Sequence, residues 1–225
     1  MGTHGRRRLR LSMGVAAGIV AVLVSSCTRV IDDARPVAAD HAGPPAAEGA
    51  AACTAVDVPL ADVPPPSGGS SNSDPVLRIP KPPGWNRITS LDSEMIRFVM
   101  RNDDLAVDRV APTAVVTLES HRGKISPDTL FAEQRRQVSE LGVTQLTLTD
   151  TTLCGLPAMR GGYMSPLMGT AEPRPAEVLI GVMFDGATTY GVAVTVQSAD
   201  ADDPTFIRDS AAILDGFQML PPGSR

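Results

Sequence analysis

Cys27 and the residues ahead of it decide how much of this chain is left to fold. Arg6, Arg7, Arg8 and Arg10 form a basic cluster, and an apolar run follows from Leu11 to Val24, broken only by Ser12 and two glycines. Val24-Ser25-Ser26-Cys27 comes next. A basic segment, a short apolar segment and small residues before a cut are the parts of a secretory signal. The run falls short of the roughly 20 apolar residues that span a bilayer.

The four residues ending in Cys27 resemble the bacterial lipobox, with an aliphatic residue, two small ones and the cysteine in order. The expectation is cleavage after Ser26, a diacylglyceryl group on the Cys27 sulfur and an acyl group on its new amino terminus. Two or three chains hold a protein stably at a membrane, since each buried CH₂ contributes about 0.8 kcal/mol. The alternative is an ordinary signal peptide with Cys27 as a bystander. The lipobox reading places the chain at the cell membrane, lipid-anchored on its extracytoplasmic face.

Cleavage removes residues 1–26 of 225 and leaves 225 − 26 = 199, which suits one domain and a tether. It also strips arginines from a chain that already carries a formal charge of −5. The mature protein therefore lacks the basic footprint of a nucleic-acid binder. The chain has three cysteines. With Cys27 assigned to lipid, Cys53 and Cys154 remain as an even pair in an oxidising compartment and read as one disulfide. Such a bridge closes a loop of about 100 residues and contributes up to about 4.7 kcal/mol in the chain-entropy picture. Two free thiols are the alternative. Two distant cysteines lack the paired spacing of a zinc site.

Residues 27–73 are rich in Ala, Pro, Gly and Ser and read as a tether, with Pro64-Pro65-Pro66 extended and Ser67-Gly68-Gly69-Ser70-Ser71 flexible. A bridged Cys53 would pin the middle of that segment. A single domain is expected over 74–225. Val76–Ile79, Met95–Met100, Thr113–Ser120, Thr144–Thr149, Thr151–Cys154 and Ala158–Met164 read as strands. Ala176–Phe184 and Thr189–Gln197 read as a hairpin turning at Asp185-Gly186. Ser126-Pro127-Asp128 opens a helix that runs to about Leu141, with Leu130, Phe131, Val138 and Leu141 on its buried face. Asp203-Pro204 opens a second, with Phe206, Ile207, Ser210, Ile213 and Leu214 as its stripe. Phe217–Leu220 closes the domain as a strand. Hairpin-linked strands with two separate helices predict an α+β fold built on a twisted antiparallel sheet.

The order and spacing of several motifs resemble the mycobacterial LpqN/LpqT lipoprotein family. They are Pro83-Gly84-Trp85 after the first strand, Ser126-Pro127 at the first helix, Leu156-Pro157-Ala158 with Gly162-Tyr163, the paired late strands, and Leu214-Asp215-Gly216-Phe217 at the end of the last helix. The resemblance implies a PsbP-like domain. It carries no catalytic residues over, and it implies a surface or secreted antigen concerned with envelope glycolipid or with host proteins.

The residues themselves offer little chemistry. The mature chain has His41, in the tether, and His121, at a strand end, and no nucleophile with a base beside it. Ser139 and Ser165 sit in no hydrolase motif. Asp200, Asp202 and Asp203 lack the glycine and terminal glutamate of a calcium loop and read as helix-capping acids. Gly161-Gly162 reads as a strand bend, and Glu133-Gln134-Arg135-Arg136 as a solvated helix face. What remains is Trp85, presented by a turn, and the methionines Met159, Met164, Met168 and Met183, soft side chains able to line an apolar groove or to pack a core.

The expectation is thus a non-enzymatic envelope lipoprotein without metal or cofactor. It would bind an apolar or glycolipid ligand through a surface that includes Trp85, Met159 and Met164. Docking onto an envelope or host protein is the alternative, and a hydrolase the weakest reading.

Overall fold

The computed structural model describes residues 53–65, 74–167 and 172–224. The expected leader, Cys27 and Met168 lie outside them. Ten strands and two α-helices follow in the order β1 (Leu60–Asp62), β2 (Val76–Pro80), β3 (Trp85–Arg87), β4 (Ile96–Asn102), β5 (Thr113–Arg122), α1 (Pro127–Glu140), β6 (Thr144–Leu153), β7 (Leu156–Met164), β8 (Pro175–Asp185), β9 (Thr188–Gln197), α2 (Pro204–Asp215) and β10 (Gln218–Leu220). The fold is α+β, as expected. The strands form two antiparallel sheets rather than one: a seven-stranded sheet in the order β3-β4-β5-β9-β8-β7-β6, and a three-stranded sheet in the order β1-β2-β10.

Burial follows strand position. β5, with covered and open residues in alternation, buries Ala114, Val116 and Leu118 toward α2. Central β8 buries both faces, with Leu179 and Met183 on one side and Val178, Ile180 and Val182 on the other. Such a near-continuous apolar run marks a strand covered on both sides. α2 lies on the first face beside the small sheet, touching β2, β8 and β9. Its Phe206, Ile213 and Leu214 join Trp85, Phe98, Leu77 and Met219 in the main core. α1 covers the other face with Leu130 and Phe131, packed on Met159, Ile180 and Val182.

Both helices start as their sequences require. Ser126 Oγ accepts from the Thr129 N–H at 3.2 Å. Asp203 Oδ1 accepts from Thr205 and Phe206 at 2.8 and 2.9 Å, and each helix has Pro at its first position.

Several expectations need correction. The sheets take in residues before Asp74, since β1 pairs Leu60 with Pro80 on β2; the expected bridge between Cys53 and Cys154 is present, with the Cα atoms 4.1 Å apart. Thr144–Thr149 and Thr151–Leu153 are one strand, β6, with a bulge between Thr144 and Thr147, and Cys154 lies in the turn that follows it. Leu141 and Ile207 are not core residues; they are 46% and 51% exposed. Trp85 is not presented by its turn. It opens β3 and is 1% exposed, because Pro82-Pro83-Gly84 steers the chain inward under α2.

Candidate functional site

At the end of the large sheet where β7 finishes and α2 begins, an apolar pocket of about 250 Å³ opens. Gly162, Glu177 and Val196 form one cross-strand row along it, since Gly162 pairs with Glu177 and Glu177 with Val196. Gly162 brings no side chain to that row, which leaves space under Phe206. Phe206 comes from the first turn of α2, fixed there by the Asp203 cap, and Ala201 from the turn before it. Met164, Pro175, Ala176 and Tyr163 complete the apolar wall, and Gln145 stands at the rim.

Two polar side chains in this wall are tied down. Tyr163 is mostly buried, and burial pushes its phenol above the ordinary value, offset in part by a hydrogen bond with Thr195. It is therefore neutral at physiological pH. Glu177 accepts a long hydrogen bond from Ser210 Oγ at 3.4 Å and lies 3.5 Å from the Arg160 guanidinium. The other end of that guanidinium is in close contact with Asp215. Arg160 is shared between two carboxylates, so Glu177 is only partly neutralised.

A second cavity of about 330 Å³ is lined by Pro64, Pro65, Asp92, Ser93, Glu94, Ile96 and Arg97. It ends where residues 66–73 begin, so its wall is incomplete among the described residues. The Arg97 guanidinium there already donates to the Pro64 carbonyl and pairs with Asp74.

Of the surface foreseen from sequence, only Met164 lies at the pocket. Met159 is fully buried, at 0% exposure, beneath α1. Trp85 spends its indole N–H on Asp209 inside the core. The cleft between α1 and the sheet holds about 10 Å³, too little for a ligand. Glu177, Phe206 and Ala201 went unrecognised in the sequence. Glu177 had a signal, because it is the one charged residue inside the apolar run of β8. His121 is half-exposed, 3.7 Å from Glu119, and away from the pocket. Among the described residues no group of three His, Cys, Asp or Glu is placed to hold a metal ion, and no helix is long and apolar enough to cross a membrane.

No protein-family model matches the chain, and no curated protein does. Among solved structures, LpqN, described as involved in cell envelope biogenesis of Mycobacterium tuberculosis, superposes with a TM-score of 0.57 at 16% identity, covering 72% of this chain and 92% of that one. The chain has the LpqN fold. A protein from Bacteroides thetaiotaomicron VPI-5482 matches at a TM-score of 0.39 and 12% identity, over 66% of this chain and 47% of that one. Of the motifs that carry the resemblance, Pro83-Gly84-Trp85 leads from β2 into the start of β3, and Leu214-Asp215-Gly216-Phe217 leads from the end of α2 to β10.

Proposed function

We propose that this chain is an envelope lipoprotein, held on the extracytoplasmic face of the membrane by lipid on Cys27, whose domain binds an amphiphile without chemical turnover. The observation that carries the binding reading is the pocket of about 250 Å³ between β7, β8 and α2, lined mostly by apolar residues, with Gln145, Tyr163 and Glu177 as its polar side chains. That composition is typical of small-molecule sites, although most run larger, from about 300 to 1,000 Å³. Its size suits one alkyl chain or ring better than a two-chain lipid. The likeness to LpqN, a protein of cell envelope biogenesis, supports an envelope role; a PsbP-like domain remains part of the proposal. No histidine or cysteine lines the pocket, so the reading is of binding without catalysis. Docking through α1 draws less support, because Glu133, Arg136 and Glu140 pair with one another across its exposed face.

Native mass spectrometry of the mature chain from its own cells tests both parts. The expected result is diacylglyceryl mass on Cys27 together with a co-purified single-chain amphiphile that Met164→Glu removes. A chain without lipid on Cys27 overturns the anchor. A stoichiometric protein in place of the amphiphile overturns the binding reading in favour of docking.

A further inference from the structure

We infer that Glu177 selects the head group of the ligand: the pocket takes single-chain amphiphiles whose heads are uncharged or cationic hydrogen-bond donors and excludes anionic ones. The inference rests on the binding reading above and goes beyond it by assigning a residue and a head-group chemistry.

Glu177 lines the pocket, and its side chain is 45% exposed. Its neighbours leave acceptor capacity free. Ser210 donates to one carboxylate oxygen at 3.4 Å and Arg160 approaches the other at 3.5 Å, both longer than the roughly 2.7–3.2 Å of good hydrogen bonds. An ionised carboxylate offers about four lone-pair sites and no proton to donate. A hydroxyl, amine or amide N–H arriving at the mouth therefore finds an acceptor. A sulfate, phosphate or carboxylate head finds a like charge.

The surrounding charges reinforce the choice. Arg160 serves Glu177 and Asp215 together, so this trio carries a net charge of 1 − 2 = −1. Ala201, in the wall, is flanked by Asp200, Asp202 and Asp203. Asp203 is committed to the α2 cap. Asp200 and Asp202 are exposed. Arg174, next in sequence to Pro175 in the wall, is not among the lining residues. Gln145, at the rim, can donate or accept and does not alter the sign.

The test is binding of the mature full-length chain to four probes with one decyl chain each: decyl glucoside, decylammonium, decyltrimethylammonium and decyl sulfate, all below their micelle concentrations. The expected order places the glucoside and decylammonium tightest. Decyltrimethylammonium, a cation with no donor, should be weaker than decylammonium, which separates hydrogen bonding from charge. Decyl sulfate should bind at least tenfold more weakly than the glucoside. Glu177→Gln keeps an acceptor but removes the charge. It should bring decyl sulfate to within about threefold of the glucoside, while Met164→Glu weakens all four. Far-UV circular dichroism and an intact Cys53–Cys154 bridge confirm that the variants fold. Sulfate binding as tight as glucoside in the unaltered chain, or a sulfate deficit that survives Glu177→Gln, overturns the head-group inference alone. Failure of all four probes to bind overturns the pocket reading and this inference with it.

Discussion

The indole Nε1 of Trp85 donates a 2.9 Å hydrogen bond to Asp209 Oδ2, and both residues are about 1–2% exposed. One bond thereby joins β3, at the edge of the large sheet, to the buried side of α2. Arg208 donates to the other carboxylate oxygen through Nε at 3.2 Å and Nη2 at 2.9 Å, so the buried charge of Asp209 is held by two side chains. Trp85→Phe keeps most of the ring but leaves that oxygen without its partner. A buried acceptor left unpaired costs about 1–3 kcal/mol, and the smaller ring adds a packing loss. The midpoint of urea unfolding should fall accordingly, with the slope unchanged. Trp85→Phe with a midpoint equal to that of the unaltered protein would show that the bond contributes nothing.

The Cys53–Cys154 bridge spans 101 residues and ties the start of the described chain to the β6–β7 turn. Replacing both cysteines by serine should cost about 2–5 kcal/mol. Cys154 also has φ near +49° and Gly155 near +79°, the positive pair that a two-residue type I′ hairpin turn requires. Asparagine tolerates that conformation and β-branched residues do not. In a Cys53→Ser background, Cys154→Asn should therefore be more stable than Cys154→Val by about 1 kcal/mol, read from thermal unfolding of the two variants. Equal stability would mean that the turn imposes no such demand.

Gly161 pairs with Leu148 where β7 packs tightly against the backbone of β6. A Cβ there would stand 1.7 Å from the Thr147 carbonyl oxygen, a backbone atom beside the β6 bulge that cannot rotate away. Gly161→Ala should destabilise the protein by at least the roughly 1–3 kcal/mol of ordinary overpacking. Hydrogen exchange should place the damage in β6 and β7 first. Protection of β6 unchanged in the variant would contradict the close approach.

On the outer face of α1, Glu133 accepts hydrogen bonds from Arg136 first and Gln137 second, which hold its carboxyl below the ordinary value of about 4.5. A carboxylate depressed in the folded state contributes stability above its unfolded pKa and loses it as pH falls through the folded one. The groups are half-exposed, so solvent screening keeps the contribution small. Glu133→Gln should lower stability slightly at pH 7 and by less below pH 4. A deficit that grows on acidification would have the wrong sign.

The parts of this protein legible in its sequence are those set by neighbours along the chain. Ser126-Pro127 and Asp203-Pro204 announce both helices because capping is decided within one turn. The β8–β9 hairpin shows itself through Asp185-Gly186 and two apolar runs. The Cys53–Cys154 pairing follows once Cys27 is assigned elsewhere, by parity and compartment rather than geometry. Tertiary structure decided the rest. β1 has three residues, too short for any periodicity, and becomes a strand only because β2 lies beside it; β10, expected as Phe217–Leu220, is found as Gln218–Leu220. Trp85 and Met159 could have been surface or core on composition alone; the cover supplied by α2 and α1 made them core. The pocket arises from Gly162, Glu177, Val196 and Phe206, residues brought to one sheet end by strand register and by the cap of α2. No local pattern encodes that meeting, because space beside a glycine has meaning only once another element arrives to roof it.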